Sequence, residues 1–287
     1  MTNYKIESAS TIGGRSENQD YFQIRESNYG LLAVVCDGMG GKNGGKYAAE
    51  LAVIKILEEI LSTPEGNPKE VIVSAITNAN TLIFGESQQN EALRGMGTTI
   101  TLLLINESYA MCFHVGDSRI YHLRKSNILY STFDHSKVFE MVSRGILTEE
   151  EARVSSESNI INRALGIRPD VEISVSEELP YKKGDRFLIC TDGIWGAVPE
   201  IQLLEMVSLK KPIKEVVLQL AQDIDQIGID NGGTHDNLTA VLIETQNDSN
   251  LSTSENDNPI IKNWKPLIIA VTALLLIIVL IFFILKR

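Results

Sequence analysis

Long apolar runs that stop on an acid recur along this chain. Leu31-Leu32-Ala33-Val34-Val35-Cys36 ends on Asp37-Gly38-Met39-Gly40-Gly41, and Phe187-Leu188-Ile189-Cys190 ends on Thr191-Asp192-Gly193. The order is reversed at His235-Asp236-Asn237, where the acid precedes an apolar stretch over 238–243. Short continuous apolar runs bounded in this way predict buried strands. An aspartate at a strand end is held rigidly and still points into solvent. A glycine after it lets backbone carbonyls and a ligand come close, because no Cβ intervenes. In an antiparallel sheet the end of one strand lies beside the start of its neighbour, so Asp37, Asp192 and Asp236 are expected on one edge.

Elsewhere the period changes. Ala49, Val53, Ile56, Leu57 and Ile60 form one stripe of a helix over 45–61, which Pro64, Gly66 and Pro68 close. Ile72, Ala75, Ile76, Ala79 and Ile83 do the same over 69–84. Strands are predicted at 4–10, 21–25, 98–105, 109–115, 119–123, 128–132, 171–176, 186–191 and 238–245, and further helices at 199–208 and 213–230. The stretch 134–170 is mixed, with Thr148-Glu149-Glu150-Glu151 in the form of a capping box. There is no internal repeat. Paired helices, strands, paired helices and a closing strand predict an α+β fold in which helices cover a strand sandwich.

The last forty residues differ from the rest. Positions 247–259 are polar with almost nothing to bury and read as a tether. Positions 267–285 carry no charge, and Thr272 is their only polar residue. At ~1.5 Å per residue they span a bilayer core of roughly 30 Å. The chain thus divides into a body at 1–246, a linker at 247–266 and a transmembrane helix at 267–285. Lys262 and Lys265 precede the span and Lys286 and Arg287 follow it, so flanking charge sets no orientation. The N-terminus has no apolar signal core, so the body is expected in the cytosol, on the cytoplasmic face of a single-pass membrane protein.

Formal net charge is −11; residues 247–287 sum to +1, which leaves −12 on the body. An acidic body argues against nucleic acid as the partner. Cys36, Cys112 and Cys190 lie inside apolar runs and read as buried, reduced thiols.

Several chemistries can be weighed on these residues. Gly40 to Lys46 matches G-x-x-x-x-G-K, but Tyr47 stands where a nucleotide-binding loop needs a hydroxyl for Mg²⁺. No cysteine has an arginine six positions on, so a thiolate phosphatase is excluded. His114, Asp117 and Ser118 are too close in sequence to face one another as a triad. His122, His135 and His235 show no metal-ligand spacing and read as surface or hydrogen-bonding residues.

Taken together, the motifs resemble the metal-dependent Ser/Thr protein phosphatase family (protein phosphatase 2C) in its compact bacterial form. They run in order: Arg15 to Asp20; Val35 to Gly41; Gly97-Thr98-Thr99; Val115 to Tyr121; Asp134-His135-Ser136; Arg163 to Gly166; Cys190 to Trp195; and Asp236 to Thr239. The resemblance implies a four-layer α-β-β-α sandwich with a two-metal site at one end. It assigns Asp37 as the carboxylate bridging two ions, with the Gly38 carbonyl on one and Asp192 and Asp236 on the other. It makes Asp20 the holder of a metal-bound water and Arg15 the phosphate ligand. Asp117, with Asp192, corresponds to a third, weaker ion site, and residues between Ser136 and Asn162 to a mobile flap.

All candidate ligands are oxygens, which suits Mg²⁺ or Mn²⁺. Two such ions would make hydroxide from water at neutral pH, for in-line attack on phosphorus. The implied substrates are phosphorylated proteins and the implied opponent a Ser/Thr protein kinase. The rival from another class is a membrane-anchored, non-catalytic phosphoprotein-binding module. Two positions depart from the family: Met39 replaces a histidine proposed as general acid in animal members, and a His-Pro pair is missing from 152–159.

Overall fold

The computed structural model describes residues 3–251. The expected linker from 252 onward and the expected span at 267–285 lie outside the described residues, among which no helix is long and apolar enough to cross a membrane. In chain order the elements are β1 (Tyr4–Thr11), β2 (Asp20–Ser27), β3 (Gly30–Met39), α1 (Gly41–Ser62), α2 (Pro68–Gln89), β4 (Gly97–Thr98), β5 (Ile100–Ile105), β6 (Ala110–Val115), β7 (Arg119–Arg124) and β8 (Asn127–Ser131). There follow α3 (Lys137–Ser143), α4 (Glu149–Arg153), β9 (Ser174–Val175), β10 (Arg186–Cys190), α5 (Asp192–Trp195), α6 (Glu200–Val207), α7 (Ile213–Asp230) and β11 (Leu238–Thr245).

The strands form two sheets whose named pairings are all antiparallel, ordered β1-β11-β10-β7-β8 and β2-β3-β5-β6-β9, with β4 paired to β3. The apolar runs read as continuous because both faces of each sheet are covered. Along β3, Leu32, Val34 and Cys36 join a core shared with α1 and α2, while Leu31, Ala33 and Val35 face the other sheet. Along β11, Leu238, Ala240 and Leu242 pack with α6 and α7, and Val241 and Ile243 join the core between the sheets. Three apolar cores therefore separate four layers, α-β-β-α, and side chains alternate between cores with the period of two that a strand imposes.

The stripes expected on the first two helices are the buried ones: Ala49, Val53, Ile56, Leu57 and Ile60 on α1, and Ile72, Ala75, Ile76, Ala79 and Ile83 on α2, all in one core. Three elements differ from the sequence pattern. The strand expected over 98–105 is broken at Thr99, whose hydroxyl accepts the Asp37 N–H at 2.9 Å. The strand expected over 171–176 shrinks to Ser174–Val175 at the sheet edge, where only these two residues pair with β6. And α1 starts at Gly41, so the stretch resembling a nucleotide-binding loop is wound into helix, with Lys46 exposed.

Candidate active site

The three acids meet at one end of the sandwich, but they come from two sheets and not from one edge. Asp192 follows β10 and Asp236 precedes β11. These strands are paired with Cys190 opposite Ala240, so the end of one meets the start of the other. Gly193 makes this approach possible: a Cβ there would lie 2.0 Å from the Asn237 carbonyl oxygen. Asp37 comes from β3 in the other sheet, where Asp20 is its cross-strand partner. The resulting cleft, about 680 Å³, is lined by Arg15, Asp37, Gly38, Asp117, Asp192 and Asp236. Asn159 and Ile161 reach it from the flap, and Met39 also lies on its wall. Asp20 is buried and does not line the cleft; its Oδ2 accepts the Thr191 hydroxyl at 2.9 Å.

So many carboxylates in one place strain one another electrostatically. Burial, then the charges of Asp20, Asp192, Asp117 and Asp236, push the Asp37 carboxyl well above the usual carboxylate range. Burial does the same to Asp117, aided by Asp192 and Asp134. Burial raises Asp20 to about 7, against the hydroxyls of Thr239 and Thr191. Asp192 rises to about 6, through burial and then Asp236. The Asp192 Oδ1 is buried and has no hydrogen-bond partner. A buried polar atom left in this condition is costly unless something cationic or protonated answers it.

Among the described residues Arg15 is the cation that lines this cleft, its Nη2 donating to Asp236 Oδ2 at 2.7 Å. A set of oxygen donors with an orphaned carboxylate oxygen fits hard divalent cations. Among the described residues no three acidic, histidine or cysteine side chains close on a single point. Ions of this kind retain several waters and take backbone carbonyls as well, so side chains alone need not complete their shells.

Neighbouring groups hold the acids in place. The Thr99 N–H and the Thr98 hydroxyl both donate to the Asp37 carbonyl, at 2.8 and 2.9 Å. The Asn237 amide group takes the Gln19 N–H at 2.8 Å and donates to the carbonyls of Ile12 and Glu17 at 2.8 and 3.0 Å, which fixes the loop carrying Arg15. The indole N–H of Trp195 donates to the Asp117 carbonyl at 2.9 Å. Behind it, Arg119 pairs in bidentate fashion with buried Asp134 at 2.8 and 2.7 Å, its guanidinium 3.6 Å from the Trp195 ring centre. Thr98, Thr99, Asn237 and Trp195 fall inside the sequence motifs, but their supporting roles depend on partners remote along the chain. Asn159 and Ile161 fall inside the expected flap, but nothing in the sequence placed either on the cleft wall.

The histidines are held as hydrogen-bonding residues. His122 meets Asp185 at 2.9 Å, His235 meets Asp225 at 2.8 Å, and His114 stacks on His135 with ring centres 4.4 Å apart. Burial lowers His135 to about 3 and lowers His114 as well, so both rings are neutral. Cys36, Cys112 and Cys190 are free and buried, and burial pushes each thiol up.

Fold and rim together present an acidic, open cleft at the end of a two-sheet sandwich, lined by carboxylates from both sheets and by Arg15 from the loop before β2. The family model for protein phosphatase 2C matches residues 9–242. The serine/threonine phosphatase stp of Listeria monocytogenes is 31% identical over 238 residues, covering 81% of this chain and 88% of that protein. The crystal structure of serine/threonine phosphatase Stp1 from Staphylococcus aureus superposes with a TM-score of 0.77 at 26% identity, over 85% of this chain and 96% of that one. The catalytic domain of the serine threonine protein phosphatase PstP, solved in complex with two manganese ions, superposes with a TM-score of 0.71 at 28% identity, over 85% and 99%. This chain belongs to the protein phosphatase 2C family and is a protein serine/threonine phosphatase.

Proposed function

We propose that the protein hydrolyses phosphoserine and phosphothreonine esters on proteins at a binuclear Mn²⁺ or Mg²⁺ centre, opposing a Ser/Thr protein kinase. The observation that carries this reading is the meeting of Asp37 with Asp192 and Asp236 from separate sheets, around a buried Asp192 oxygen that has no partner. The residues that would hold the ions are Asp37, the Gly38 carbonyl, Asp192 and Asp236, with Asp117 and Asp192 for a third, weaker ion. The two manganese ions of the PstP complex support a centre of two ions. When bound, such ions polarise phosphoryl oxygens and generate a nucleophile from water at neutral pH.

The chain's own groups do the rest. Arg15, exposed and tied to Asp236, offers its remaining guanidinium N–H groups to the phosphoryl oxygens. Asp20, beneath the cleft, holds a water or a proton at the floor. Met39 lines the wall and has no proton to give, so the Ser or Thr oxygen that leaves phosphorus takes its proton from a water in the cleft. Residues 267–285 tether the enzyme to the cell membrane with its body on the cytoplasmic face, where a membrane-bound kinase substrate is within reach. A non-catalytic binding module is disfavoured, because binding alone gives no use for crowded carboxylates.

Phosphate release from a phosphothreonine peptide with Mn²⁺ tests the reading. Asp37→Asn and Asp192→Asn should each lose about a hundredfold or more in kcat, while Cys36→Ala retains activity. Undiminished turnover in EDTA would end the metal mechanism. For the tether, the full chain should sediment with membranes and a chain ending at Asn250 should not.

A further inference from the structure

The sequence left His135 without a task, and its neighbours supply one. Gly116 immediately precedes Asp117, and His135 grips it at two points. The His135 N–H donates to the Gly116 carbonyl at 2.9 Å, and the Gly116 N–H donates to His135 Nδ1 at 3.1 Å. Because a backbone N–H can only donate, Nδ1 carries no proton. The neutral ring therefore bears its proton on Nε2, which donates to the Ser174 hydroxyl oxygen at 2.9 Å. His114 stacks on the ring and anchors it further, its Nε2 donating to the Phe133 carbonyl at 2.9 Å.

The same residue holds both ends of the flap. Next in sequence, Ser136 caps α3, its hydroxyl accepting the Phe139 N–H at 3.3 Å. At the far end, the Asn162 N–H donates to the His135 carbonyl at 2.7 Å, and Ser136 forms a bridge with Ile161. The flap thus leaves and rejoins the body at His135, and the loop carrying Asp117 is fastened to that hinge.

We propose that His135 is a positioning residue that joins the flap hinge to the Asp117 loop, so that a phosphoprotein pressing on the flap alters Asp117 and the ion it would hold. This rests on the reading of Asp117 given above. Two near-isosteric variants separate the clamp from general packing. In His135→Asn the side-chain oxygen reaches the Nδ1 position and still accepts the Gly116 N–H. In His135→Gln the amide reaches the Nε2 position and leaves that N–H unmatched.

Two measurements on the full chain decide the matter: calorimetric titration with Mn²⁺, and the rate of tryptic cleavage after Arg144, an exposed flap residue. His135→Gln should weaken the weakest Mn²⁺ step about tenfold and speed cleavage by a similar factor, the cost of one unmatched amide. His135→Asn should leave both within about twofold of wild type. Equal behaviour of the two variants, or weakened Mn²⁺ binding with unchanged cleavage, would overturn the proposal. If the wild-type chain bound no Mn²⁺, the proposed function would fall, and the cleavage arm would still decide whether His135 secures the flap.

Discussion

Arg15 is an informative residue because its position serves two purposes. It is half-exposed and tied to Asp236 at 2.7 Å, so it contributes little to folding and much to a phosphate in the cleft. Arg15→Ala should leave the melting temperature within about a degree or two while lowering kcat/KM for a phosphopeptide about a hundredfold. Arg15→Lys should recover only part of this, since an ammonium group cannot make the paired contact of a guanidinium. A kcat/KM unchanged in Arg15→Ala would remove it from phosphate binding. At this scale the aspartates were legible in the sequence, because an acid that stops an apolar run is conspicuous. For His135 only the motif and a hydrogen-bonding role were legible: its Gly116 and Ser174 partners lie 19 and 39 positions away along the chain, so what it holds was not.

Elements position these residues through a few side chains that the pattern of apolar positions cannot reveal. Asn80 lies on the buried face of α2, fully inaccessible. Its amide group accepts the Gly166 N–H at 2.8 Å and donates to the carbonyls of Arg168 and Pro169 at 3.1 and 3.0 Å. It thereby pins the loop that follows the flap. Asn80→Ala leaves three backbone groups unmatched and should cost about 3 kcal/mol, or roughly 6–12 °C in melting temperature, measurable by calorimetry. Gly193 acts between elements. Gly193→Ala would drive a methyl group against the Asn237 carbonyl and force the α5 turn away from β11, so Mn²⁺ binding should weaken more than stability falls. Helix stripes and most strands were readable because amphipathic periodicity is a local property. The break at Thr99 and the short β9 were not, since a hydroxyl used by a distant N–H and a scarcity of edge partners are decided by the assembled sheet.

For the whole molecule the acid cluster sets the dependence on pH. Asp20 and Asp192 bind protons more tightly folded, at about 7 and about 6, than in an unfolded chain, where aspartate titrates near ~4. Their raised values mean that the folded state holds more protons over this interval, so stability falls as pH rises through it. In EDTA the melting temperature should therefore decrease between pH 5 and pH 8. Added Mn²⁺ should restore it, and the increment should grow with pH as protons cease to compete. An increment independent of pH would show that these carboxyls are not where the ions bind.

By itself the sequence determined the layers and the chemistry on offer. Two-sided apolar strands require cover on both faces, helix stripes supply that cover, and aspartates at strand boundaries with glycines beside them supply oxygen donors. Only the tertiary structure decided which boundaries meet. An edge of a single sheet would have explained Asp192 and Asp236, whose strands are paired. Asp37 reaches them because two sheets pack face to face with their ends in line, and that alignment is set by the apolar core between them, from residues spread over the whole body. Contacts made across that distance depend on packing, which no stretch of the chain encodes alone.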